Sequence, residues 1–177
     1  MPDHTPAVEA IALLAAEEAF QVGVAESLTS GQLAADLGAG PDASVWFRGG
    51  LVAYASQVKF DVLGVTPGPV VTAECARQMA VGATRLLGAD AVVATTGVGG
   101  PDSEEGEPPG TVFVATLVRG RARCERLDLS GDPAEVLVQT RARVLAILLA
   151  AMRDRAVAGV DQTSGSDATA TVPPVRD

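Results

Sequence analysis

At 177 residues the chain is long enough for one domain with a substantial core. A net charge of −9 excludes a phosphate-dense polymer such as nucleic acid as its main partner, while leaving room for a local pocket that takes one small anion. No apolar run approaches the roughly 20 residues of a membrane span. The start, MPDHTPAVEA, lacks the basic n-region of a secretory signal, and two cysteines make no disulfide framework, so a cytoplasmic protein away from the membrane is expected.

Apolar residues make up 47% of the chain and aromatics only 3%, so the core must be built from Ala, Val and Leu. Such side chains let helices pack closely on strands, which favours a layered α/β fold. In chain order, Ala7 to Phe20 reads as a helix, with Val8, Ile11, Leu13 and Leu14 among its apolar positions and Glu9, Glu17 and Glu18 solvated. Val22 to Glu26 is a short buried strand, and a helix opens near Thr29 and stops at Gly38. Val45 to Tyr54 is a strand whose glycine pair allows a bulge or a close approach. Ser56 to Leu63 reads as a short helix, and Thr72 caps a longer one that runs to Leu87. AVVATTG, at 91–97, is a second buried strand of parallel type. GVGGPDSEEGEPPG is a long loop, of a length that suggests function or mobility. Thr111–Val118 and Arg121–Leu129 form a hairpin, and Asp132 caps a last helix to about Arg155. The remainder, 156–177, is small, polar and Pro-containing and reads as a disordered tail. This order predicts one three-layer α/β/α domain over 1–155 with a mixed, mostly parallel sheet of about five strands.

Sites in open α/β sheets lie beyond the carboxyl ends of parallel strands, here Glu26-Ser27 and Thr95-Thr96-Gly97. The only histidine, His4, stands in a terminus expected to fray, so a Ser-His-Asp triad has no base, and no Cys/His spacing suits zinc. Of the 13 basic residues one alone is Lys, at position 59, and the only Tyr is Tyr54. Arg cannot lose its proton near neutral pH, whereas a buried Lys can, so Lys59 is a candidate for work that needs deprotonation; the alternative is a chance surface lysine. Ser27 is a candidate nucleophile, with N–H groups of the following helix start holding an oxyanion; the alternative is a plain helix cap. Lys59, desolvated among Val58, Phe60 and Val62, would be its base, and Tyr54 a proton relay. Ser56 is a rival nucleophile, because Ser56-Gln57-Val58-Lys59 matches S-x-x-K, though S-D-N and K-T-G are absent. Cys75 and Cys124 fall in helix and strand patterns and read as packing residues. The backbone of TTGVGGP could approach a phosphate or ribose, or be a glycine-rich turn with no ligand.

AESLTSG at 25–31, GGLVAYASQVK at 49–59, TTGVGGPD at 95–102, PGTV at 109–112 and SGD at 130–132 stand in the order and spacing of the CinA C-terminal domain family, the nicotinamide mononucleotide deamidases. The resemblance covers roughly residues 7 to 153, and nothing corresponds to the additional N-terminal domain of the larger CinA proteins, so the chain resembles a stand-alone short form. What the resemblance implies is hydrolysis of nicotinamide mononucleotide to nicotinic acid mononucleotide and ammonia, without metal or cofactor, by a homodimer of α/β/α domains. It places the catalytic serine, tyrosine and lysine on Ser27, Tyr54 and Lys59. It places substrate contacts on Thr29, Ser30 and Gly31 of the first motif and on Thr96, Gly97, Gly99 and Gly100 of the third.

The sequence also departs from the family pattern. Ser30 stands for a glycine, Ala55-Ser56-Gln57 for the Ser-Asn-Glu before the lysine's alanine, and Pro133 and Leu137 for two arginines. The lost cations imply a weakened phosphate site, a changed substrate, or a silent nucleotide-binding or dimeric scaffold. A Ser–Lys hydrolase of another small amide is a third alternative.

Overall fold

The computed structural model describes residues 5–163, which leaves His4 outside the described residues. Helix α1 (Thr5–Glu18) buries Val8, Ile11, Ala12 and Ala15, while Leu13, on the opposite side, is exposed. Ala19, at φ 55°, ends it in the left-handed region. Strand β1 (Val22–Glu26) is buried along its whole length. Helices α2 (Gln32–Gly38) and α3 (Ala43–Trp46) lead into strand β2 (Phe47–Val52). The strand expected over 45–54 is therefore shorter. Its first two residues belong to α3, where the Trp46 indole N–H donates to the Pro41 carbonyl at 2.8 Å and draws the ring into the core.

Helices α4 (Ser56–Asp61) and α5 (Ala73–Leu87) follow, and α4 ends two residues before the Leu63 expected from the sequence. Thr72 caps α5 as its position suggested, its Oγ1 accepting from Cys75 N–H at 3.0 Å. Strand β3 (Ala91–Gly97) is succeeded by the hairpin β4 (Thr111–Val118) and β5 (Arg121–Asp128). Helix α6 (Pro133–Thr163) opens with a reciprocal cap: Glu135 N–H donates to Asp132 Oδ1, and Asp132 N–H to Glu135 Oε2, each at 2.9 Å. It runs past the expected end at Arg155; the rest of the expected tail, 164–177, lies outside the described residues.

The five strands form one mixed sheet in the order β2-β1-β3-β4-β5. β1 pairs in parallel with β2 and β3, and the hairpin extends the other edge with antiparallel pairs. Side chains alternate across the sheet, so each face has its own core. Val22, Val24 and Val93 pack under α1, α2 and α6 with Ile11, Leu33 and Leu145. Ala25, Val92 and Ala94 meet Ala76, Met79 and Ala83 of α5 on the other side. This is the three-layer α/β/α arrangement that the element order implies. It brings the carboxyl ends of β1 and β3 side by side, with α4 close behind β2.

Candidate active site

The loop that follows β1 is shaped by Glu26. This residue is fully buried, and its carboxylate accepts from three main-chain N–H groups at the start of α2: Gly31 (3.0 Å), Leu33 (3.0 Å) and Ala34 (2.8 Å). Ser30 (φ 51°) and Gly31 (φ 93°) both take the left-handed conformation that turns the chain into the helix. The helix expected near Thr29 therefore opens at Gln32. Its free N–H groups, expected to serve an oxyanion at Ser27, are filled by the chain's own acid. The signal was present in the sequence: an acid that ends a buried strand, just before a helix, is a natural capping group.

A cavity of about 520 Å³ opens at the carboxyl end of β1 and β3. Ser27, Tyr54 and Lys59 line it, together with Thr96, Gly97, Gly99 and Gly100. Thr29, Ser30 and Gly31 are not among its lining residues. Thr29 is wholly buried, and its hydroxyl has no hydrogen-bond partner among the described residues. Ser30 points to solvent, and the Gly31 N–H is held by Glu26.

Lys59 reaches the cavity from α4 and is only 1% exposed. Val58 and Val62 are themselves exposed and are not what desolvates it. Residues adjacent along a helix point in different directions, so sequence neighbours seldom bury one another. The ionisable groups acting on Lys59 are Cys75 from α5 and Glu104 and Glu105 from the loop after β3. Burial lowers the amine below its ordinary value, and the charges of that thiol and the two carboxylates oppose the shift in part. Nζ donates to the main-chain carbonyl of Tyr54 at 3.2 Å. The Tyr54 side chain is 70% exposed and forms part of the rim. Ser56 also lines the cavity but is exposed, whereas Ser27 is 8% exposed.

Beside Lys59, Cys75 is nearly fully buried, and burial raises its thiol to about 11. The nearby Thr96 opposes that rise in part, and its hydroxyl donates to the Val70 carbonyl at 2.8 Å. Residues 98–110 are not a slack connection. Glu104 and Glu107 pair across a tight turn, and Glu105, at φ 52°, places its carboxylate on the N–H groups of Val70 (2.7 and 3.0 Å) and Val71 (2.7 Å). The loop is thus latched to the stretch before α5, and its Asp102 and Glu104 line the cavity wall. At the end of β3, Gly97 passes so close to β4 that a Cβ would stand 2.4 Å from the Thr111 carbonyl. That position admits only glycine. Pro133 and Leu137 of α6 close the remaining side.

Fold and cavity define the class: an α/β/α protein with a buried lysine and a serine at the carboxyl edge of its parallel strands. The chain belongs to the CinA C-terminal domain family, whose profile matches residues 4–152. It is 42% identical over 131 residues to a putative competence-damage inducible protein of Geobacillus kaustophilus, a match covering 70% of this chain and 31% of that protein. It is 40% identical over 129 residues to a CinA-like protein of Citrifermentans bemidjiense, covering 69% and 31%. The chain thus matches under a third of the length of these curated relatives. Among solved structures, a CinA superfamily protein of Klebsiella pneumoniae superimposes with a TM-score of 0.83 at 29% identity, covering 86% of this chain and 99% of that one. An Escherichia coli CinA superfamily protein gives 0.81 at 31% identity, covering 83% and 89%. Among the described residues no helix is long and apolar enough to cross a membrane.

Proposed function

We propose that the protein hydrolyses the carboxamide of a nicotinamide nucleotide, with nicotinamide mononucleotide giving nicotinic acid mononucleotide and ammonia. The observation that carries this reading is the meeting of Ser27 with the chain's one lysine, almost wholly buried, on a single cavity. Lys59 in its neutral form accepts the Ser27 hydroxyl proton as Oγ attacks the amide carbon. The tetrahedral intermediate collapses when the protonated amine returns that proton to the leaving nitrogen. Ammonia departs and an ester on Ser27 remains. Water then adds to the ester, Lys59 takes its proton, and the acid leaves as Ser27 Oγ is reprotonated.

With the start of α2 occupied, the oxyanion falls to main-chain N–H groups beside Ser27, for which Gly99 and Gly100 on the cavity wall are the candidates. Nζ is bonded to main chain rather than to Ser27, so the base must swing when substrate enters; such bonds commonly tighten only in the reacting complex. Tyr54, at the rim, covers the pyridine ring or hydrogen-bonds the intermediate. Ammonia release from nicotinamide mononucleotide tests the reading. Release by the wild type and its loss in Ser27→Ala support it; a wild type that releases none ends it.

A further inference from the structure

The structure offers a phosphate very little, and this bears on the substrate class of the amidase site proposed above, on which the inference rests. Helix starts are the usual anion sites of α/β folds. At this end of the sheet α2, α5 and α6 are capped by the protein's own side chains, and α4, whose start at Ala55 has no side-chain cap, is only six residues long. Glu26 takes the N–H groups at α2, Asp132 and Glu135 cap each other at α6, and Thr72 takes the Cys75 N–H at α5. The Val70 and Val71 N–H groups just before α5 belong to the Glu105 carboxylate.

No side-chain cation replaces them. Among the described residues the cavity is lined by no arginine, and its one cationic residue is the buried Lys59. Arg141, one turn beyond Leu137 on α6, is committed to Asp36 (2.5 and 2.9 Å) and Gln32 (3.3 Å). Arg126 is committed to Glu107 and Asp128, each at 2.9 Å. What faces the cavity instead is Asp102, Glu104, Pro133 and Leu137. Two carboxylates and an apolar wall repel a phosphate dianion and suit a flat organic cation.

We infer that the site recognises the cationic N-ribosylpyridinium carboxamide itself and gains nothing from a phosphate on it, so that the nucleoside is bound at least as well as the nucleotide. Asp102 and Glu104 attract the ring charge, and Leu137 with Pro133 packs against the sugar side.

The test is calorimetric titration of the full chain carrying Ser27→Ala, which separates binding from turnover. The probes are nicotinamide riboside and nicotinamide mononucleotide at one ionic strength. The riboside is expected to bind as tightly as the mononucleotide or tighter. Adding Asp102→Asn and Glu104→Gln weakens the riboside severalfold, and adding Leu137→Arg shifts the preference toward the mononucleotide by about tenfold or more. A mononucleotide that binds tenfold tighter without Leu137→Arg overturns the inference and leaves the amidase reading standing. Binding of neither probe overturns both.

Discussion

Lys59 Nζ and the carbonyl oxygen of Tyr54, five residues back along the chain, are joined by a 3.2 Å hydrogen bond. The bond ties the buried amine to the stretch between β2 and α4. An acceptor favours the ammonium, whereas desolvation favours the neutral amine, and burial is the larger influence on Lys59.

The first prediction follows from that balance. With its amine below the ordinary lysine value, activity rises with pH along a limb whose midpoint is below 10.5. Lys59→Arg keeps positive charge but cannot give up a proton, so it is expected to be as inactive as Lys59→Ala, a loss on the order of 10²-fold or more. A pH–rate profile and the two variants check this. Substantial activity in Lys59→Arg would show that the side chain supplies only charge.

The two serines on the cavity wall give the second. Ser27 is buried at the end of β1, while Ser56 is exposed at the start of α4. Ser27→Ala is expected to lose on the order of 10³-fold in kcat, because the ester intermediate can no longer form. Ser56→Ala should stay within a few-fold of wild type. The reverse pattern in single-turnover ammonia release would transfer the nucleophile to Ser56.

The third concerns Cys75, whose thiol rises from 9.0 to about 11 on folding. Between those values the folded state holds a proton that the unfolded chain gives up. Stability from this group is therefore full below pH 9 and is lost as pH climbs to about 11. Lys59 acts in the opposite sense: its lowered value makes the buried ammonium a cost that is relieved as pH rises toward 10.5. Cys75→Ala should be less stable than wild type at pH 8 and should show a flatter or rising stability from pH 9 to 11 in urea titrations. An unchanged slope would mean that the thiol ionises as freely in the folded protein as in the unfolded one.

Much of the architecture was legible in the sequence because it rests on local signals. The AVVATTG run, the Thr72 and Asp132 caps and the turn between Val118 and Arg121 each mark their elements without help from the rest of the chain. The lone lysine and the serine after β1 were also visible, and they meet on one cavity. What escaped depends on contacts distant in sequence. Glu105 closes on Val70 across 35 residues, and Cys75 comes beside Lys59 from another helix. Of the apolar neighbours expected to desolvate Lys59, Val58 and Val62 are exposed and Phe60 is half-buried against the core, since only the fold decides which face of α4 is covered. The start of α2 falls at Gln32 rather than near Thr29 because Glu26 both ends β1 and caps the helix after it.

The last prediction asks what Ser30 contributes. The family pattern has glycine there, and one explanation is that serine replaces a substrate contact. The backbone offers another. Ser30 sits at φ 51° immediately before Gly31 at φ 93°, in a left-handed pair that lets Glu26 reach the N–H groups of α2. A residue with a Cβ is disfavoured in this region by roughly 1–2 kcal/mol, and glycine gives back about 0.4–1 kcal/mol through the freer unfolded chain. The conformational term is the larger, so Ser30→Gly should stabilise the protein by roughly 0.5–1 kcal/mol and raise Tm by a few degrees. Ser30 is exposed and does not line the cavity, so kcat and KM for ammonia release should be unchanged. Gly31→Ala, which puts a Cβ where φ is 93°, should destabilise by about 1 kcal/mol or more. A Ser30→Gly variant with higher Tm but a KM raised severalfold would show that the hydroxyl reaches the substrate, and the departure would then be one of recognition rather than of backbone.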